Sequence, residues 1–177
     1  MRIKDIAASR SILLITVTFF TLTSMAPHRP NFSGKWELNE SKSVKGNSLC
    51  VWGLGDHMRA NAMKVMAEVN SLTLYVTSSS PGWTPVSTKE KLTFDGNEGE
   101  LIIDNKVKKS TVKWSSDHQI MTVNSIVSID AGNWNLEFKV TEVWKLINNG
   151  KSISIQAEVK SDSGGMDTLN LIFDKGN

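Results

Sequence analysis

The sequence predicts an all-β protein, an antiparallel up-and-down β-barrel of about eight to ten strands. Three observations carry this expectation. Apolar and polar residues alternate with period two along most of the chain, which is the signature of strands with one buried face. The alternating runs are separated by short turn signals such as Asp95-Gly96-Asn97 and Asn148-Asn149-Gly150. No helical stretch is long enough to carry a crossover between parallel strands, so near-neighbour antiparallel pairing is left. A sheet of this many strands must close or fold over to hide its edges, as a barrel or as a sandwich. The unbroken order of hairpins favours the barrel.

The elements follow in order. Phe32 to Leu38 is the first strand, with Trp36 and Leu38 on one face. Residues 56–66 are ambiguous, because Asp56 suits an N-cap and Ala60, Ala62, Met63 and Met66 suit a helix. A loop or helical turn over about 47–60 is expected, then a strand over 62–69 with Met63, Val65, Ala67 and Val69 on one face. Asn70-Ser71 turns the chain into Leu72 to Val76. A strand from about residue 87 ends at Asp95-Gly96-Asn97, and a short one runs from Glu100 to Asp104. Lys108 to Trp114 aligns Val112 with Trp114. Residues 119–129 align Met121, Val123, Val127 and Ile129, and residues 135–147 align Leu136, Phe138, Val140, Trp144 and Leu146. Asn148-Asn149-Gly150 is a strong hairpin signal, because Asn and Gly accept the positive φ of primed turns. Ile153, Ile155, Ala157 and Val159 form the next face. A Ser-Gly loop then leads to Leu169, Leu171 and Phe173.

The first segment reads as an address. Arg2, Lys4 and Arg10 precede the apolar run Ile12 to Leu22, and the small-residue stretch Thr23-Ser24-Met25-Ala26 follows. These are the parts of a secretory signal peptide over residues 1–26, and the apolar run is short for a bilayer span. Pro27 makes a poor context for cleavage directly after Ala26. The expected location is therefore periplasmic or extracellular, with residues 27–177 as one domain and no membrane span in the mature form. The 177 residues carry 20 basic and 18 acidic side chains. Without residues 1–26 three bases and one acid are lost, leaving 17 of each and a net charge of zero. That argues against nucleic acid as a partner. One cysteine excludes an internal disulfide framework, and with three histidines it leaves no recognisable zinc spacing.

Phe32-Ser33-Gly34-Lys35-Trp36-Glu37-Leu38-Asn39, then Ser41-Lys42-Ser43, resembles the opening of lipocalin-like extracytoplasmic bacterial domains, with their G-x-W first strand. Glu90 to Gly96, Lys113-Trp114 and Val140 to Leu146 continue the resemblance, which covers most of 32–175. It implies an exported barrel around an apolar interior, with no established catalytic residues and no cofactor. Two departures stand out. The segment Leu49 to Arg59, with Cys50 and Trp52, has no counterpart, and the barrel-closing arginine of true lipocalins is absent. Lys175 is its nearest stand-in. On the last strand it shares a face with Leu169, Leu171 and Phe173, and in a closed barrel that strand lies beside Gly34 and Trp36. A lysine over the Trp36 indole would help close one end. A lysine so near the terminus is equally readable as simply solvated.

Chemistry is sparse. Cys50, His57 and Asp56 could form a nucleophilic site in principle, but nothing in the pattern orders them. His28, His57 and His118 have no ligand spacing, so neither catalysis nor a metal is expected. Glu142 is the most informative polar residue, because it shares a face with Phe138, Val140, Trp144 and Leu146. A carboxylate there is costly unless paired. Lys108 and Glu90 also fall on apolar faces, which suggests a few charges inside near one barrel end, including a Glu142–Lys108 pair. They could orient the polar head of an amphipathic ligand in an apolar cavity, or sit at the rim. Trp36, Trp114 and Trp144 fall on apolar strand faces and read as core. Trp52, Trp83 and Trp134 fall in loops, where they could cap a barrel mouth or stack on a sugar or a protein partner; the cap is the favoured reading. The sequence thus leads to a barrel that binds a small apolar or amphipathic molecule inside, with Glu142, Trp114, Trp144, Phe138 and Trp83 as ligand contacts. The second reading is a cell-envelope module that binds a glycan or an envelope protein through its loop tryptophans.

Overall fold

The computed structural model describes residues 28–44, 59–79, 84–130 and 132–176. The expected signal segment, and the loop residues Cys50, Trp52, Asp56, His57, Pro81, Gly82 and Trp83, lie outside the described residues. Ten strands follow in chain order: β1 (Gly34–Leu38), β2 (Arg59–Ala67), β3 (Ser71–Ser79), β4 (Val86–Thr93), β5 (Gly99–Ile103), β6 (Lys106–Trp114), β7 (Met121–Asp130), β8 (Asn135–Ile147), β9 (Ser152–Ser161) and β10 (Met166–Lys175). They form one antiparallel sheet in the order β4-β3-β2-β1-β10-β9-β8-β7-β6-β5, rolled into a nearly closed up-and-down barrel.

The ladder closes between the first and last strands, with Trp36 opposite Lys175. Its two edges are β4 and β5, which are consecutive in sequence but share no ladder. Gly99 lets β5 approach there, since a Cβ at that position would lie 2.8 Å from the Lys91 carbonyl oxygen. The turn after β8 has the expected chemistry, with φ of 52°, 55° and 77° at Asn148, Asn149 and Gly150.

Inward residues pack one core. Trp36, Trp144, Phe32 and Phe173 are its largest fully buried side chains, with Leu72, Met121, Ile153 and Ile155 among them. The interior is packed at mid-height and toward the far end too, since Val140, Val127 and, near the end of β3, Ser78 are no more than 1% exposed. Three expectations are corrected. β2 begins at Arg59, because ladders to both β1 and β3 outweigh the helix formers in that stretch. Val69 does not join the core but is 86% exposed, because the chain leaves the ladder after Ala67 and turns through Glu68, whose N–H donates to the Ser71 carbonyl. Trp134 caps nothing: it is 61% exposed, just before β8. No helix among the described residues is long and apolar enough to cross a membrane.

Candidate functional site

The inward charges form one buried network. Lys108 on β6 donates from Nζ to Glu90 Oε2 on β4 at 3.1 Å and to Glu142 Oε1 on β8 at 3.2 Å. Ser110 Oγ donates to Glu90 Oε1 at 2.8 Å and lies 3.0 Å from Ser125 Oγ. Trp144 Nε1 donates to Glu142 Oε2 at 2.9 Å. All four carboxylate oxygens therefore have partners. Lys108, Glu90 and Glu142 are 2%, 4% and 1% exposed. Glu142 lies opposite Val123 and Ala157 in mid-strand, so the network sits in the middle of the barrel and not near an end as expected. Burial pushes the Glu142 carboxyl up from its ordinary value; the nearby Lys108 opposes this, and Glu90 adds to it. Burial alone would lower Lys108, but Glu142 and Glu90 together hold it above its ordinary value. A lysine held in its ammonium form is no general base. What the network does is fasten β4 to β6 and β8, across the seam that the backbone ladder leaves open.

The other expected contacts are spread through the barrel. Trp144 is fully buried, Phe138 is partly buried against the core, and Trp114 is partly buried at the end where β1 begins. At that end Lys175 Nζ stands 5.6 Å over the Trp36 ring. Gly34, at φ 146°, makes room for the pair: a Cβ there would lie 3.4 Å from Lys175 Cε and 3.5 Å from Trp36 Nε1.

The same end holds a cleft of about 600 Å³. Residues 28–33 run across it before β1. Phe32 plugs the barrel beneath, its ring 6.2 Å from both Trp114 and Trp144, and its carbonyl accepts from Trp36 Nε1 at 2.9 Å. Phe94 stands edge-on to Trp114 at 5.4 Å. The Arg29 guanidinium lies 5.1 Å from the Phe94 ring centre and 5.5 Å from that of Trp114. Gln119 Nε2 holds the crossing segment by donating to the His28 carbonyl at 3.2 Å. His28, Arg29, Glu68, Val69, Leu72 and His118 are among the residues that line it around Phe32, Phe94 and Trp114. The Trp114 indole N–H is buried and has no hydrogen-bond partner. An aromatic floor, a cation at its edge and one idle donor suit an apolar molecule with an acidic group.

Of this cleft the sequence pointed only to Trp114. Phe32 shares the alternation of Gly34 and Trp36, so its inward position could have been read. Arg29 had no such signal, because it precedes the first strand and meets Phe94 and Trp114 only when the barrel closes. Among the described residues no group of three or more His, Cys, Asp or Glu could hold a metal ion. No protein-family model, curated protein or solved structure matches the chain.

Proposed function

We propose that the chain is an exported lipocalin-like barrel that binds a small amphipathic molecule, an apolar ring or chain bearing an acidic group, without catalysing a reaction on it. The site is the cleft at the end where β1 begins, not the interior. One observation carries this reading: the cleft, at about 600 Å³, sits over Phe94 and Trp114, with Arg29 stacked on both rings and the Trp114 N–H unpartnered. That volume lies within the range of small-molecule pockets, roughly 300–1,000 Å³. A buried donor without an acceptor is costly, and a turn of the Trp114 ring on binding would offer it to an acidic group of the ligand beside Arg29. The second reading, an envelope module that binds a glycan or protein on a filled barrel, draws on the packed interior and on the exposure of Trp134.

Native mass spectrometry of the protein purified from its own host is expected to show a retained small molecule. Titration with 8-anilinonaphthalene-1-sulfonate, an amphipathic anion, is expected to give binding that Trp114→Phe and Arg29→Gln each weaken about tenfold, the loss of one hydrogen bond to a charged group. Binding untouched by both substitutions would overturn the cleft as the site.

A further inference from the structure

The chain has a formal net charge of only +2, but its outer surface does not distribute its charges evenly. Strands β2, β3 and β4 contain one acid between them, Glu90, and it faces the interior. Their outward faces carry Lys64, Lys89 and Lys91, all exposed. The ladder aligns them into a row that continues onto β1: Lys35 lies opposite Lys64, Lys64 opposite Tyr75, and Tyr75 opposite Lys89. Adjacent strands are about 4.8 Å apart, so the row spans about 14 Å, and Lys91 stands about 7 Å further along β4.

Among the described residues these lysines have no counter-ion. Elsewhere on the surface Lys42, Lys109, Lys139 and Lys160 each have an acid within 4.0 Å, while Lys106, Lys113, Lys145 and Lys151 have none among the described residues but do not face another lysine across a ladder. Among the described residues Lys35, Lys64, Lys89 and Lys91 have none; Glu37, the nearest acid on β1, lies two residues beyond Lys35. Like charges placed directly opposite each other in a ladder are destabilising, so the Lys35–Lys64 pair works against the sheet. Among the described residues relief comes from Tyr75, whose ring centre lies 6.0 Å from Lys64 Nζ and 5.6 Å from Lys89 Nζ. That interaction is weak at an exposed site.

We propose that this face of β1–β4 binds an acidic polysaccharide strand, with Lys35, Lys64, Lys89 and Lys91 meeting its carboxylates and Tyr75 providing a ring surface between them. The remaining outward groups suit sugar. Thr77 and Ser87 place hydroxyls on neighbouring strands, 3.3 Å from each other. The face lacks what a bilayer would need, because Met66 is its one exposed large apolar side chain besides Tyr75. The site is separate from the end cleft, and neither depends on the other.

The test is binding of the purified protein to a polygalacturonate oligomer, with a neutral glucan and phosphatidylglycerol vesicles in parallel. Lys64→Gln/Lys89→Gln is compared with Lys139→Gln/Lys160→Gln, which removes the same charge from the other side of the barrel. The expected result is salt-sensitive binding of the polyuronate, none of the glucan, and about tenfold weaker binding with a shallower salt dependence for the first variant alone. The first variant relieves repulsion, so its thermal unfolding should be unchanged or raised. Equal weakening by both variants would reduce the effect to net charge and overturn the proposal. So would failure of the native protein to bind the polyuronate, or binding of the vesicles in its place.

Discussion

Glu142 has both carboxylate oxygens occupied, one by Lys108 and one by Trp144, and it shares Lys108 with a second buried carboxylate. One ammonium between two acids leaves the network short of a positive charge, and burial makes that shortage expensive. This is why the Glu142 carboxyl is raised, with burial the main cause. The sign of the consequence follows by linkage. A carboxyl raised in the fold contributes stability below its unfolded value, and the contribution fades as pH rises through the folded one. Glu142→Gln mimics the protonated acid. Its cost relative to the native protein should therefore be larger at pH 4.5 than at pH 7.5 in urea unfolding; a cost that grows with pH would show that Lys108 holds Glu142 down. Asp174 has the opposite sign at a half-buried position. Donors from Asn39, Ser152 and Lys42 hold it at about 2, down from 3.8, so its contribution is full above the unfolded value and fades as pH falls from there through about 2. Glu142 and Lys108 were legible as inward charges because alternation fixes which face a residue takes. That Glu90 completes the network was not, because the seam that brings β4 against β6 is a property of closure.

Among the elements, β8 is the clearest case of legibility. Its thirteen residues alternate almost without interruption, and the positive-φ turn after it fixes the register with β9. β2 is the opposite case, since Ala60, Ala62, Met63 and Met66 fit two periodicities and only the neighbouring strands decide. The weakest join is between β4 and β5, where side chains from Lys108, Ser110 and Glu90 replace a ladder. Two consequences belong to this scale. Amides of β4 and β5 that face the seam should exchange with solvent well before those at the centre of β8 and β9, which are laddered on both sides. Gly99→Ala should cost about 1–3 kcal/mol in chemical denaturation, because the added methyl meets a backbone carbonyl that cannot turn aside. A neutral Gly99→Ala would mean that β5 does not lie against β4.

At the scale of the whole molecule, the described residues fill much of the barrel interior with their own side chains, and a cleft lies open at one end. Trp36, Trp144, Phe32 and Phe173 occupy the interior that a ligand would need, and the charges that pattern alone would offer to a ligand are used up on each other. The two sites proposed above are accordingly the end cleft and the outer wall. The three tryptophans of the strands report on this division separately, since Trp36 Nε1 is bound to the Phe32 carbonyl, Trp144 Nε1 to Glu142, and Trp114 Nε1 to nothing. The most direct measurement is therefore an NMR titration of the indole N–H resonances with 8-anilinonaphthalene-1-sulfonate. If the cleft is the site, the Trp114 resonance shifts with the dye while those of Trp36 and Trp144 stay in place. If Trp144 shifts and Trp114 does not, the ligand enters the interior and the cleft is not where this protein binds.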